Sequence, residues 1–328
     1  TGVLPGCRAC SAPPRPNILL ITLDTLRADH LGCYGYARDT SPHIDRFAEQ
    51  ALRYTRAYSP ATWTLPAHGS LFTGKYPSSH GARHDPEGSL RLTSAIEGNP
   101  KWEQVRVRSI AVDEHTLAGT LGAHGYDTGA IVGGPFLKSV FGLDRGFGHY
   151  DEANISTFNG RPADDVTMRA LKWLDERDAR PWMLFLNYFD PHAPYAPPGD
   201  YARRFLGDRA PAAGEPIVSG EQVIGLYDAE IAYMDEHVGA LFDGLRQRGL
   251  FDDAWIILTA DHGEMLGEHN MKGHGDTPYE PVVHLPLMVR EPGAGGASSG
   301  GSDDRPIELV DVMPTILARR KNAEPGQM

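Results

Sequence analysis

Asp24, Asp261 and His262 are two carboxylates and an imidazole, a donor set that can hold a divalent metal ion. Carboxylates suit hard cations such as Ca2+, Mg2+ and Mn2+. The imidazole moves the preference towards Mn2+ or Zn2+. One divalent ion is expected, with Ca, Mn or Mg ahead of Zn. These residues end short apolar runs: residues 17–23 lead into Asp24, and residues 255–259 lead into Asp261-His262-Gly263-Glu264. A third run, 182–189, leads into Asp190-Pro191-His192. Taken singly, Asp261-His262-Gly263-Glu264 is equally a polar turn after a strand. Three such endings together point polar groups at one rim, because ligands of open α/β sheets bind beyond the carboxyl ends of the strands.

A second concentration is Thr62-Trp63-Thr64-Leu65-Pro66-Ala67-His68-Gly69-Ser70-Leu71-Phe72-Thr73-Gly74. Pro66 fits a first helical turn and Gly74 a helix end. Thr64 then lies at a helix N-terminus, where N–H groups and the dipole favour an anion. A hydroxyl there, beside a dication, can lose its proton and become a nucleophile. The plainer reading is a helix cap.

These groups need elements to hold them. The three apolar runs are too continuous for half-exposed strands and read as buried strands of a parallel sheet. A short strand is expected at 128–132 and another at 285–289. Helices are expected from Ser41-Pro42, with Ile44, Phe47, Ala48, Ala51 and Leu52 inward, and over 114–124, 163–177 and 220–248. Strands alternating with helices predict a three-layer α/β sandwich, a mostly parallel central sheet flanked by helices. Residues 85–113 and the Gly/Ser-rich 291–305 read as irregular loops. His43 is expected on the solvated side of its helix. His80 and His84 follow the Thr64 helix and are weaker candidates for substrate contact; His115, His124 and His149 have no partner in the pattern.

Residues 1–16 read as a flexible lead-in, 17–320 as the catalytic domain and 321–328 as a tail. The chain has 328 residues, 31 Lys and Arg against 43 Asp and Glu, hence a net charge of −12. That balance argues against nucleic acid and anionic membrane surfaces as main partners. It leaves room for an anionic ester, because a metal ion dominates the field inside a cleft. The three cysteines, Cys7, Cys10 and Cys33, exclude a disulfide-stapled scaffold. No apolar run is long enough to span a membrane. Leu4-Pro5-Gly6-Cys7 is faintly like the end of a lipoprotein signal, in which Cys7 would carry a lipid anchor, but Pro5 fits such a signal badly and an unstructured leader remnant is the plainer reading; an exported location is the expectation over a cytoplasmic one.

The motifs, in their order, resemble the sulfatase family of the alkaline phosphatase superfamily over nearly the whole chain. The resemblance rests on Pro16-Asn17-Ile18-Leu19-Leu20-Ile21-Thr22-Leu23-Asp24 with Leu31-Gly32-Cys33-Tyr34-Gly35, and on Thr64-Leu65-Pro66-Ala67-His68 with Leu71-Phe72-Thr73-Gly74-Lys75-Tyr76-Pro77. It rests also on His192-Ala193-Pro194-Tyr195, Thr259-Ala260-Asp261-His262-Gly263-Glu264, Tyr279-Glu280 and Asp311-Val312-Met313-Pro314-Thr315-Ile316. It implies that Asp24, Asp261 and His262 are metal ligands and that Thr64 is the nucleophile, also touching the metal. It implies that His192 contacts the anionic group or leaving oxygen. His274 falls where members carry a Lys or His near the transferred group, with Lys272 a nearby substitute.

Three departures bear on activity. Sulfatases carry Cys or Ser where Thr64 stands, and oxidise it to the aldehyde formylglycine. Oxidising a threonine gives a ketone, so that route is closed. Direct attack by Thr64 stays open, since the related phosphoglycerol- and phosphoethanolamine-transferases use a Thr in this place. His68 replaces an Arg, removing a fixed positive fork, and Thr25 replaces an Asp ligand. The expected function is metal-dependent hydrolysis or transfer of a sulfate, phosphate or phosphonate ester of a small molecule, glycan or lipid, with Thr64, His68, His192 and His274 as catalytic candidates. The alternatives are a transferase of the kinds just named and a non-catalytic binder of anionic glycans or lipid head groups. Family members usually continue into a small C-terminal subdomain, here expected to be minimal or truncated.

Overall fold

The computed structural model describes residues 15–94, 102–155, 157–212, 214–293 and 300–322. Its strands are β1 (Asn17–Leu23), β2 (Leu52–Tyr58), β3 (Arg83–His84), β4 (Leu90–Arg91), β5 (Arg106–Arg108), β6 (Asp127–Ile131), β7 (His149–Asp151), β8 (Trp182–Tyr188), β9 (Ala254–Ala260), β10 (Met265–Leu266), β11 (Lys272–Gly273), β12 (His284–Arg290), β13 (Gly301–Asp303) and β14 (Ile307–Glu308). Its helices are α1 (Pro42–Ala48), α2 (Thr64–Thr73), α3 (Pro77–His80), α4 (Leu117–Ala123), α5 (Ala163–Glu176), α6 (Tyr201–Leu206), α7 (Gly220–Gln247), α8 (Glu280–Val283) and α9 (Val312–Asn322).

The central sheet runs β13-β2-β12-β9-β1-β8-β6-β7, with β14 also on β2. β9, β1, β8, β6 and β7 are parallel, and the apolar runs of β9, β1 and β8 are buried on both faces. Helices α1, α5 and α6 pack against α7; α2, α4 and α9 form a second group. The architecture is the α/β sandwich the alternating pattern predicts. β1 sits between β8 and β9, so all three carboxyl ends open on one edge. Leu23 pairs with Ala260 across β1 and β9, which makes Asp24 and Asp261 neighbours one step beyond the sheet.

Several local expectations change. α1 stops at Ala48, and Leu52 begins β2 instead of ending the helical stripe. Arg53-Tyr54-Thr55-Arg56 favours a strand, and β2 gains a ladder on β12. The 85–113 stretch contains β4 and β5, which form a small antiparallel sheet with β3 because Val107 and Leu92 have core to cover. Within 291–305, β13 pairs with β2; residues 294–299 lie outside the described residues, as do Cys7 and Cys10. His43 is half-buried, its ring against Gly239 of α7, so it is not a solvated residue. Asp235 of α7 accepts the His43 and Ile44 amides at 3.0 and 2.8 Å and caps α1 from outside. Among the described residues, no helix is long and apolar enough to cross a membrane.

Candidate active site

The carboxyl edge of β1 and β9 brings Asp24, Asp261 and His262 together, fully buried, with one donor atom from each within 4.8 Å of the others. Both Asp24 oxygens and Asp261 Oδ2 have no hydrogen-bond partner. Asp261 Oδ1 accepts the His262 amide at 2.9 Å and the Thr25 amide at 3.3 Å. Burial, and for Asp24 the neighbouring Asp261 charge, push both carboxyls up, Asp261 to about 7. His262 Nδ1 lies 2.9 Å from the Gly263 carbonyl. Nδ1 must therefore carry the proton, leaving the Nε2 lone pair towards Asp261 Oδ2 at 3.4 Å. Burial pulls this imidazole well down, so it stays neutral. Three orphaned carboxylate oxygens and a lone pair on one buried point fit a dication, which would answer every one of them.

The loop geometry that permits this is specific. A Cβ on Gly263 would stand 2.0 Å from the Pro281 carbonyl oxygen. Thr25 has φ 54°, a left-handed conformation that costs a β-branched residue free energy. The strained residue directly follows Asp24, and its carbonyl is tied to the Tyr227 hydroxyl at 2.7 Å.

Thr64 is the first residue of α2, whose cap is Trp63 in extended conformation without a side-chain cap bond. Thr64 Oγ1 lies 3.3 Å from His262 Nε2. The threonine hydroxyl therefore faces the metal-capable group instead of capping its helix. His68, one turn on, is buried and uses both nitrogens: Nδ1 donates to the Thr64 carbonyl at 2.9 Å, and Nε2 accepts from Thr22 Oγ1 at 2.9 Å. Burial pushes it down to about 4, so it is neutral. Its Nδ1 is also 3.5 Å from Asp261 Oδ2. The chain of contacts continues to Asn187, whose Nδ2 donates to Thr22 Oγ1 at 3.2 Å and whose Oδ1 accepts the Gly133 and Gly134 amides at 3.2 and 2.8 Å.

On the other side stands a histidine pair. His274 has its ring centroid 4.4 Å from that of His262 and 5.1 Å from that of His192. His274 Nδ1 meets Glu264 Oε1 at 2.9 Å, and the Tyr195 hydroxyl donates to Glu264 Oε2 at 3.2 Å. Burial alone would lower His274, but the Glu264, Asp261 and Asp276 charges outweigh it and raise it. His192 is the reverse case. Burial, and then His274, push it down to about 3. Its Nδ1 donates to the Ala193 carbonyl at 2.6 Å, and its ring stacks on Phe189 at 4.3 Å. Its Nε2 is left as an acceptor.

The arrangement thus gathers Asp24, Asp261, His262, Thr64, His68, His192 and His274. Lys272 is exposed on β11. His80 is buried, its Nε2 3.1 Å from Ser70 Oγ, and braces α2; His84 is exposed on β3. Glu264, Thr22, Asn187 and Tyr195 were not singled out by sequence reasoning. The one polar residue in the apolar run Trp182-Met183-Leu184-Phe185-Leu186-Asn187-Tyr188 was the available signal for Asn187.

The sulfatase family profile matches residues 16–319. The uncharacterized sulfatase YidJ of Escherichia coli (strain K12) is 25% identical over 348 residues, 93% of this chain and 67% of that protein. The crystal structure of the phosphonate monoester hydrolase of Agrobacterium radiobacter superposes with a TM-score of 0.72 at 22% identity, covering 94% of this chain and 74% of that one. A structure of BT4656 in complex with its substrate D-glucosamine-2-N,6-O-disulfate gives a TM-score of 0.71 at 19% identity, covering 94% and 77%.

Proposed function

The chain belongs to the sulfatase family, and on that premise we propose that it cleaves a sulfate or phosphonate ester with unmodified Thr64 as the nucleophile. The observation that carries this reading is Thr64 Oγ1 at the start of α2, 3.3 Å from His262 Nε2. Asp24, Asp261 and His262, with Thr64, would hold one divalent ion. When bound, such an ion supplies positive charge that acidifies a neighbouring hydroxyl and neutralises an anionic ester.

The remaining chemistry belongs to the chain's own groups. Thr64 Oγ1, its proton released to solvent, bonds to sulfur or phosphorus as the ester oxygen departs. His274, charged through Glu264, stabilises the equatorial oxygens and gives a proton to the leaving oxygen. His192 presents a neutral Nε2 that accepts a hydrogen bond, so it is suited to orient a water that later releases Thr64. His68 is a positioning residue: it ties the Thr64 carbonyl to Thr22 and cannot supply charge. The N-terminus of α2 favours the anion electrostatically. The relatives named above, a phosphonate ester hydrolase and a protein acting on a sulfated sugar, support this range of substrates.

The test is a panel of nitrophenyl sulfate, nitrophenyl phosphate and phenyl phosphonate esters with Mn2+ or Ca2+. Thr64→Ala should lower kcat at least about 10^3-fold on every ester the parent turns over. Full metal-dependent activity in Thr64→Ala would refute the nucleophile. Thr64→Ser should keep measurable turnover.

A further inference from the structure

The small sheet β3–β5 carries a concentration of positive charge that the ester chemistry does not use. Val107 is buried, so its strand neighbours Arg106 and Arg108 point to the opposite, outer face. Arg83 stands directly opposite Arg108, and Arg91 directly opposite Arg106. Like charges directly across a strand pair destabilise a sheet. This chain, with a net charge of −12, places two such pairs side by side. Arg108 Nε donates to Asp85, and Arg106 Nε to the Gly88 carbonyl at 2.8 Å. Arg83 and Arg91 are exposed and form no ion pair among the described residues.

A second feature adjoins it. Trp102 precedes β5, its carbonyl accepting the Val105 amide, and its side chain is exposed. From there ring contacts run inward: Trp102 to Phe158, Phe158 to Phe136 and Phe136 to Trp63, each at 6.0 Å between centroids. Trp63 is the residue before Thr64. An aromatic line therefore joins the flank of the arginine face to the nucleophile.

We propose that the outer face of β3–β5 docks a polysulfated polysaccharide, whose sulfates pair with Arg83, Arg91, Arg106 and Arg108 and whose sugar faces stack on Trp102. Guanidinium forks match sulfate oxygens two at a time. Neighbouring strands set the arginines about 5 Å apart and alternate residues about 7 Å apart, a spacing a flexible sulfated chain can follow. The patch is too small, on so acidic a protein, to hold a duplex or a membrane, whose charge extends past it. A linear glycan touches the patch alone. The proposal rests on the ester-cleaving reading for its biological sense, since docking would hold a polymer that carries sulfate esters on the enzyme.

The experiment compares dextran sulfate with dextran, the same backbone with and without sulfate, by calorimetry at about 0.1 M salt. The Thr64→Ala protein is used alongside the parent, so loss of catalysis and loss of docking are read separately. Both proteins should bind dextran sulfate and not dextran. Arg83→Glu/Arg91→Glu should weaken binding at least tenfold and lower the salt slope by roughly two, with nitrophenyl ester turnover unchanged. Trp102→Ala should weaken binding with the salt slope kept. Equal binding by the double variant, or equal binding of dextran and dextran sulfate by the parent, overturns the proposal. So does displacement by duplex DNA or phosphatidylserine vesicles as effective as that by dextran sulfate, which marks a generic polyanion patch.

Discussion

Glu264→Gln separates charge from shape in the pair that governs His274. Glu264 is buried, with Oε1 2.9 Å from His274 Nδ1 and Oε2 3.2 Å from the Tyr195 hydroxyl. A glutamine keeps the volume and one acceptor but removes the negative charge. At an effective dielectric of about 20, unit charges 4 Å apart interact by about 4 kcal/mol. Each pKa unit is 1.36 kcal/mol. The quotient, about 3 units, is the ceiling for removing the Glu264 charge; solvent screening and the retained amide hydrogen bond lower it, while Asp261 and Asp276 stay and go on raising His274. The sign follows from the raised imidazole: with His274 as the proposed acid, the protonated form is the active one, so activity should fall as pH rises through its pKa. The alkaline limb of kcat/KM should therefore move to lower pH by about 1–2 units, while activity on the acid side of both limbs stays within about threefold. A bound dication lowers the absolute value in both proteins alike, so the difference carries the test. The assay is nitrophenyl release between pH 5 and 9.5 at saturating Mn2+. An alkaline limb unchanged within a few tenths of a unit would sink the assignment of His274 as the charged acid.

Raised Asp24 and Asp261 carboxyls cost stability once ionised, so the metal-free chain should melt lower at pH 8 than at pH 5, and added Mn2+ should raise Tm more at pH 8; an equal metal effect at both values contradicts the ligand set. Asn187→Ala strands Thr22 and the Gly133 and Gly134 amides, which should cost about 2–4 kcal/mol in urea unfolding and lower kcat more than it raises KM. Gly263→Ala places a methyl 2.0 Å from the Pro281 carbonyl, so it should abolish metal-dependent stabilisation in a thermal melt even where the chain still folds. His68→Ala removes the Thr22-to-Thr64 tie and should lower kcat at least tenfold without moving either limb of the pH profile, because His68 is already neutral across the assay range.

The parallel core was legible because β1, β8 and β9 are buried on both faces, which demands unbroken apolar runs, and a carboxylate just past such a run is conspicuous. β2 was not, because its apolar residues continue the spacing of α1 and the choice between helix and strand was made by pairing with β12, far away in sequence. β4 and β5 are two- and three-residue strands, too short for any period to register. The same limit hid half of the site. Thr22 and Asn187 lie in register on β1 and β8, and only the sheet makes them adjacent. Glu264 was visible inside a recognised motif, yet its work depends on His274 returning ten residues later on the β10–β11 hairpin. His68 read as a replacement for a positive residue; its burial and its two neutral hydrogen bonds make it a brace.

That neutral brace changes the charge balance of the site. Asp24, Asp261 and Glu264 are buried within it, and the basic side chain paired with them is His274, which the Glu264 and Asp261 charges raise. Arg27 reaches the Glu264 carbonyl at 3.1 Å, but its guanidinium is committed to Asp29 and Glu268 at 2.7 and 2.6 Å. Above the raised range of the Asp24 and Asp261 carboxyls, an anionic ester approaching these side chains alone meets more negative charge than positive. Coulombic attraction appears only once a dication answers the orphaned oxygens of Asp24 and Asp261. Metal occupancy should therefore act on substrate affinity as well as on turnover. A vanadate or tungstate oxyanion, which mimics the transferred group without being turned over, should bind the metal-free Thr64→Ala protein far more weakly than the metal-loaded one. Equal binding in the two states would mean that the anion is held by the α2 N-terminus and His274 without help, and that the carboxylates serve another purpose.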